Sequence, residues 1–147
     1  LMRKINYIVV HCSATREGCT LTSEALEAEH RRRGFRTTGY HYYIRRDGTV
    51  LGTRSLELPG AHCRGHNKYS IGICYEGGLD ARGNPKDTRT PEQRSALHLL
   101  VYQLLQQFRN ARVCGHRDLS PDLDGDGKVE PREWVKQCPC FEVSKEF

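Results

Sequence analysis

The stretch that decides the fold is INYIVVH, Ile5 to His11. It is short, dominated by β-branched residues and closed by a polar side chain, the pattern of a strand buried in a sheet. A helix follows, which Thr22 or Ser23 can cap and which Gly34 stops after Arg33. Gly39–Val50 (GYHYYIRRDGTV) leads alternating aromatic residues into an Asp47-Gly48 turn and reads as a hairpin. Ser70–Glu76 (SIGICYE) is a second buried-type strand, closed by Gly77-Gly78. Thr90-Pro91-Glu92-Gln93 starts a second helix: a capping residue, Pro in the first turn, Gln three residues on. Leu97, Leu100, Val101, Leu104, Leu105 and Phe108 then follow helical spacing and form its core face. Ala111–Cys114 is a last strand running into Gly115-His116, and Pro131–Lys136 is expected to be a short final helix. Alternating strands and helices predict an α/β fold, one domain over residues 1–147 with a mixed central sheet flanked by helices.

Composition narrows the function classes. At 147 residues the chain suits one domain with a proper core, and its 37% hydrophobic content is that of a globular protein with generous loops. No apolar stretch approaches the roughly 20 residues that span a bilayer, so no membrane insertion is expected. The opening LMRKINYIVVH runs straight into the strand without a signal peptide's small-residue cleavage site. That predicts synthesis in the cytoplasm. The net charge of +5 comes largely from HRRRGFR (His30–Arg36) and Arg45-Arg46, which suits a solvated helix end or an acidic polymer partner. Seven cysteines (Cys12, Cys19, Cys63, Cys74, Cys114, Cys138, Cys140) are an odd number. Without a secretion signal they read as core thiols and metal ligands rather than a disulfide framework.

His11 closes the first strand and His116 the last, and strand ends in α/β folds gather on one edge where sites form. Cys138 or Cys140 can supply a third ligand. Two His and one Cys leave a fourth position open, the catalytic rather than the structural pattern for zinc. There is no CxxC pair and no HExxH, and histidines at strand ends are often satisfied structural residues.

Four ordered motifs carry a family resemblance: VVHCSAT (Val9–Thr15), GYHYYIRRDGTV, GAHCRGHNKYSIGI (Gly60–Ile73) and KQCPCFE (Lys136–Glu142). Together they resemble the zinc-dependent N-acetylmuramoyl-L-alanine amidases of the phage-lysozyme type, related to peptidoglycan recognition proteins. The likeness extends from about residue 5 to 143 by motif order. It implies zinc ligands at His11, His116 and Cys138, which decides between the two thiols. It implies a catalytic Tyr40 and a catalytic Lys136, and it places His62 and Asn67 along the substrate groove. The reaction implied is hydrolysis of the amide between N-acetylmuramic acid and L-alanine in peptidoglycan, the expected partner. Lys136 would set an ammonium near the oxyanion, and Tyr40 would hydrogen-bond the attacking water or assist proton transfer. By residue type alone Tyr40 is a strand aromatic, Lys136 a solvent-facing helix residue and Cys12 a core thiol.

Between His116 and Cys138 lies Asp122-Leu-Asp-Gly-Asp-Gly-Lys-Val-Glu-Pro-Arg-Glu133, which follows the EF-hand loop at twelve positions. Its candidate calcium ligands are Asp122, Asp124, Asp126, the Lys128 carbonyl and Glu133. No proper incoming helix precedes it, and an Asp/Gly-rich surface loop is the competing reading. The segment 119–134 is an insertion relative to the compact family pattern, and calcium there would fix the path from His116 to Cys138. The alternative function is a non-catalytic peptidoglycan-binding module, but such members typically lack the ligand Cys present here. No nucleic-acid motif accompanies the Arg clusters, so no nucleic acid is expected. The setting implied is the cell wall, reached after release or export.

Overall fold

β1 (Tyr7–Cys12) is the centre of the molecule. The computed structural model describes residues 3–147, so Leu1 and Met2, at the start of the expected cytoplasmic N-terminus, lie outside the described residues. β1 pairs in parallel with β5 (Ser70–Tyr75) on one side and β7 (Arg112–Gly115) on the other. β3 (Tyr42–Ile44) adds to β5 in parallel, and β4 (Val50–Gly52) closes the sheet antiparallel to β3. The five-stranded order is β4-β3-β5-β1-β7, a mixed sheet. β2 (Thr15–Arg16) and β6 (Gly78–Leu79) form a small parallel pair beyond its end.

Strand periodicity sorts the side chains onto two faces. Ile8, Val10, Cys12, Ile71, Ile73 and Tyr75 share one core with Leu97, Leu100, Val101 and Leu104 of α2 (Pro91–Gln107). Tyr43 and Cys74 pack on the other face against Leu26 of α1 (Ser23–Arg32). The helices therefore cover opposite faces. Thr22 caps α1 by accepting from Ala25 N at 3.1 Å, and Thr90 with Gln93 forms a full capping box on α2. Gln93 is fully buried because its amide also donates to the carbonyls of Ile44 and Glu76, fixing the helix start to the sheet.

The hairpin forms as expected around Asp47-Gly48, with Gly48 at φ 89° and Asp47 accepting from Thr49 N. Its first strand begins only at Tyr42, so Gly39, Tyr40 and His41 form the approach to it rather than part of it. The expected final helix over 131–136 is reduced to one 3₁₀ turn, Pro131–Glu133. Trp134 is extended, and Val135 N donates to Ser120 Oγ at 3.1 Å, which draws the chain off the helical path. One turn without a packed face has too few hydrogen bonds to propagate.

Candidate metal centre

Register brings the two histidines together. β1 and β7 run parallel with Val10 opposite Gly115, so His11 and His116 emerge side by side at the same edge. Their rings are 4.6 Å apart. Cys138 reaches this edge from the C-terminal segment, which several contacts hold down. Cys12 N donates to Cys138 Sγ at 3.1 Å, and Arg117 N donates to the Cys138 carbonyl at 2.9 Å. Tyr75 Oη donates to the Pro139 carbonyl at 2.6 Å. Gly115 makes room: a Cβ there would stand 2.7 Å from Pro139 Cδ. The result is a donor set of His11, His116 and Cys138 whose ligand atoms all lie within 4.8 Å of one another. Cys140, the other candidate thiol, turns away toward Cys12 and the Gly78 carbonyl.

Tyr40 and Lys136 line the same cavity, about 260 Å³ in volume, with His11, His116 and Cys138. The Tyr40 ring stacks obliquely 5.1 Å from His11. Burial, reinforced by Cys74, Cys138 and Cys12, holds its phenol well above the usual pKa, so it stays a donor near neutral pH. Lys136 is exposed at the cavity mouth, with no helix around it. Burial drives the His11 pKa well below the ordinary range, helped by His62, His116 and Lys136, so its imidazole is neutral, the form a metal needs.

His62 and Asn67 line a groove running past His116 and Lys136, but the His62 ring nitrogens and Asn67 Oδ1 are engaged within the protein. His62 Nδ1 lies 2.8 Å from His11 Nε2, and His62 Nε2 lies 3.1 Å from Ser70 Oγ. Burial holds its pKa at about 3. Asn67 Oδ1 accepts from both His62 N and Cys63 N at 2.9 Å, fixing the loop. Gly72 lacks a side chain where a Cβ would stand 2.6 Å from the His62 ring. The motif GAHCRGHNKYSIGI thus clamps a histidine against His11.

One contributor went unread in the sequence. His30 of α1 is buried, stacks 5.4 Å from the Tyr40 ring, and accepts from Gly39 N at 2.8 Å through Nδ1. Its signal was present: it stands four residues after Leu26, on the helix's buried side.

The acidic loop also converges. Carboxylate oxygens of Asp122, Asp124, Asp126 and Glu133 lie within 4.8 Å of one another. Asp122 Oδ2 accepts from Gly127 N at 2.8 Å, while Glu133 is buried and accepts from Leu123 N, Asp124 N and Glu130 N. Arg132 pairs with Asp124 and Glu130.

The family model for N-acetylmuramoyl-L-alanine amidases matches residues 1–139. The chain belongs to that family. It is 35% identical over 143 residues to an endolysin of Klebsiella phage KP32, covering 97% of this chain and 85% of that protein. Among solved structures it resembles the amidase LysC of Clostridium intestinale, with a TM-score of 0.75 and 26% identity over 98% of this chain and 82% of that one. The recognition protein PGRP-SA of Apis mellifera shares the fold, with a TM-score of 0.73 and 22% identity over 99% of this chain and 82% of that one. No helix of the described residues is long and apolar enough to cross a membrane.

Proposed function

We propose that this peptidoglycan amidase works through His11, His116 and Cys138 as zinc ligands, cutting the bond between N-acetylmuramic acid and L-alanine at the cell wall. One observation carries the reading: three donors suited to zinc converge on a cavity that Tyr40 and Lys136 also line. Two imidazoles and a thiolate are borderline-soft donors, and three protein ligands leave room for a reacting molecule. Bound there, zinc supplies Lewis acidity, polarising the amide carbonyl and lowering the pKa of a water.

The protein's own groups do the rest. Lys136 places its ammonium where negative charge grows on the carbonyl oxygen. Tyr40, kept protonated, donates a hydrogen bond into the reacting centre and orients the nucleophile. The chain His11–His62–Ser70 sets the tautomer: His62 Nε2–H donates to Ser70 Oγ, His62 Nδ1 accepts from His11 Nε2–H, and His11 Nδ1 keeps its lone pair for the metal. His30 holds Gly39 and so fixes Tyr40 in place. In the insertion, Asp122, Asp124, Asp126, Glu133 and the Lys128 carbonyl are proposed to take calcium, bracing the path between two zinc ligands. Arg132 balances part of the loop's charge.

The test is digestion of purified sacculi by wild type and Cys138→Ala. New L-alanine amino termini from wild type alone are expected. Release of reducing sugar ends instead would overturn the reading.

A further inference from the structure

Sulfur chemistry at the end of β1 is not exhausted by the metal. Cys12 Sγ and Cys140 Sγ lie 3.9 Å apart, in van der Waals contact, although 128 positions separate them in the chain. Both press on Gly78: Cys140 Sγ is 3.3 Å from its carbonyl oxygen, and a Cβ there would stand 2.5 Å from Cys12 Sγ. Cys140 sits at φ 70°, a left-handed conformation that a non-glycine residue adopts only at some cost. That backbone holds its sulfur against the second one. Cys138 also touches Cys12, through the backbone N–H and through the thiol itself, but its sulfur belongs to the proposed zinc donor set. Of the other cysteines, Cys63, Cys74 and Cys114 are buried and Cys19 is exposed.

We propose that Cys12 and Cys140 form a disulfide when the chain meets an oxidising compartment, where a low-molecular-weight disulfide serves as oxidant. Cys140, the more exposed of the pair, gives up its proton and attacks one sulfur of the oxidant, releasing one thiol and leaving a mixed disulfide on Cys140. Cys12 then attacks Cys140 Sγ and expels the second thiol. The two cysteines lose two electrons and two protons, and the oxidant becomes two thiols. The bridge ties the residue beside His11 to the segment that carries Cys138, so the two ends of the metal site are joined covalently. The pairing itself needs only the sulfur geometry. The direction of oxidation away from Cys138 rests on the zinc reading.

The experiment treats folded, zinc-loaded protein with oxidised glutathione, then maps thiols by non-reducing peptide mass spectrometry. The expected product loses the Cys12 and Cys140 thiols, joins the peptides that carry them, and gains roughly 5–15 °C in Tm over the reduced form. Cys140→Ser and Cys12→Ser should each remove both the cross-link and the redox-dependent Tm difference. Cys12 and Cys140 both free after treatment, a glutathione adduct on Cys140 that never resolves, or a bridge to Cys138 overturns the proposal, while an adduct on the exposed Cys19 is counted separately. Zinc content, measured on the same samples, separates that failure from a failure of the metal reading.

Discussion

At the residue scale, position matters more than residue type. Lys136 looks like any solvent-facing lysine in the sequence, and in the fold it is still exposed, yet it opens onto the cavity of His11, His116 and Cys138. Lys136→Ala should lower kcat by about 10²–10³-fold. Zinc content and KM should stay near wild type, because the side chain acts on charge formed during reaction. Loss of zinc in that variant would assign Lys136 to structure instead. His62 teaches the converse. Its motif pointed to the groove, and it does line one wall, but both ring nitrogens are engaged with His11 and Ser70. That arrangement is invisible locally, since His62 meets His11 only through the tertiary fold, with Ser70 holding its other ring nitrogen.

At the element scale, the β5 strand shows how backbone shape supports chemistry. Gly72 exists where the His62 ring packs, so Gly72→Ala must displace that ring. We expect zinc affinity to fall by about 10–100-fold, the usual cost of a lost outer partner of a ligand. Competition against a chromogenic chelator measures it, and unchanged affinity would remove His62 from the site's support. The acidic loop is the other element under test. If Asp122, Asp124, Asp126 and Glu133 take calcium, a calcium-selective chelator should lower Tm and slow sacculus digestion, with restoration on calcium addition. A chelator without effect on either would leave the loop as surface chain. The convergence of the loop's carboxylates was legible because those residues are close in the chain. Pro131–Lys136 departs from the helix its sequence predicts because Ser120, fifteen residues upstream, captures Val135 N.

At the scale of the whole molecule, the C-terminal segment must stay docked for Cys138 to reach β1. Arg89 provides one clasp: its side chain is fully buried, pairs with Asp87 and Glu146, and stacks 3.3 Å over the Phe141 ring. Hydrogen bonds from Arg89 depress the Glu146 pKa below its usual 4.5, against some burial and with help from His98. A depressed carboxyl adds stability that is fully present above its unfolded pKa and is lost as pH falls through the folded value. Tm should therefore drop as pH goes from roughly 5 toward 3. Glu146→Gln should melt lower near neutrality and show a shallower acid decline. Parallel wild-type and variant curves by calorimetry would remove this clasp from the account.

The sequence by itself determined the elements: INYIVVH as a buried strand, the capping box at Thr90, the hairpin at Asp47-Gly48, and two histidines at strand ends. These follow from periodicity, capping and turn chemistry, which act within a few residues. Family motifs added the choice of Cys138, with Tyr40 and Lys136. Only the tertiary structure decided the rest: that His62 turns inward to hold His11, that His30 fixes Tyr40, and that Cys140 faces Cys12 instead of His11 and His116. The physical reason is register. A parallel pairing of Val10 with Gly115 sets which residues, a hundred positions apart, share one edge, and strand parity sets which face each side chain takes.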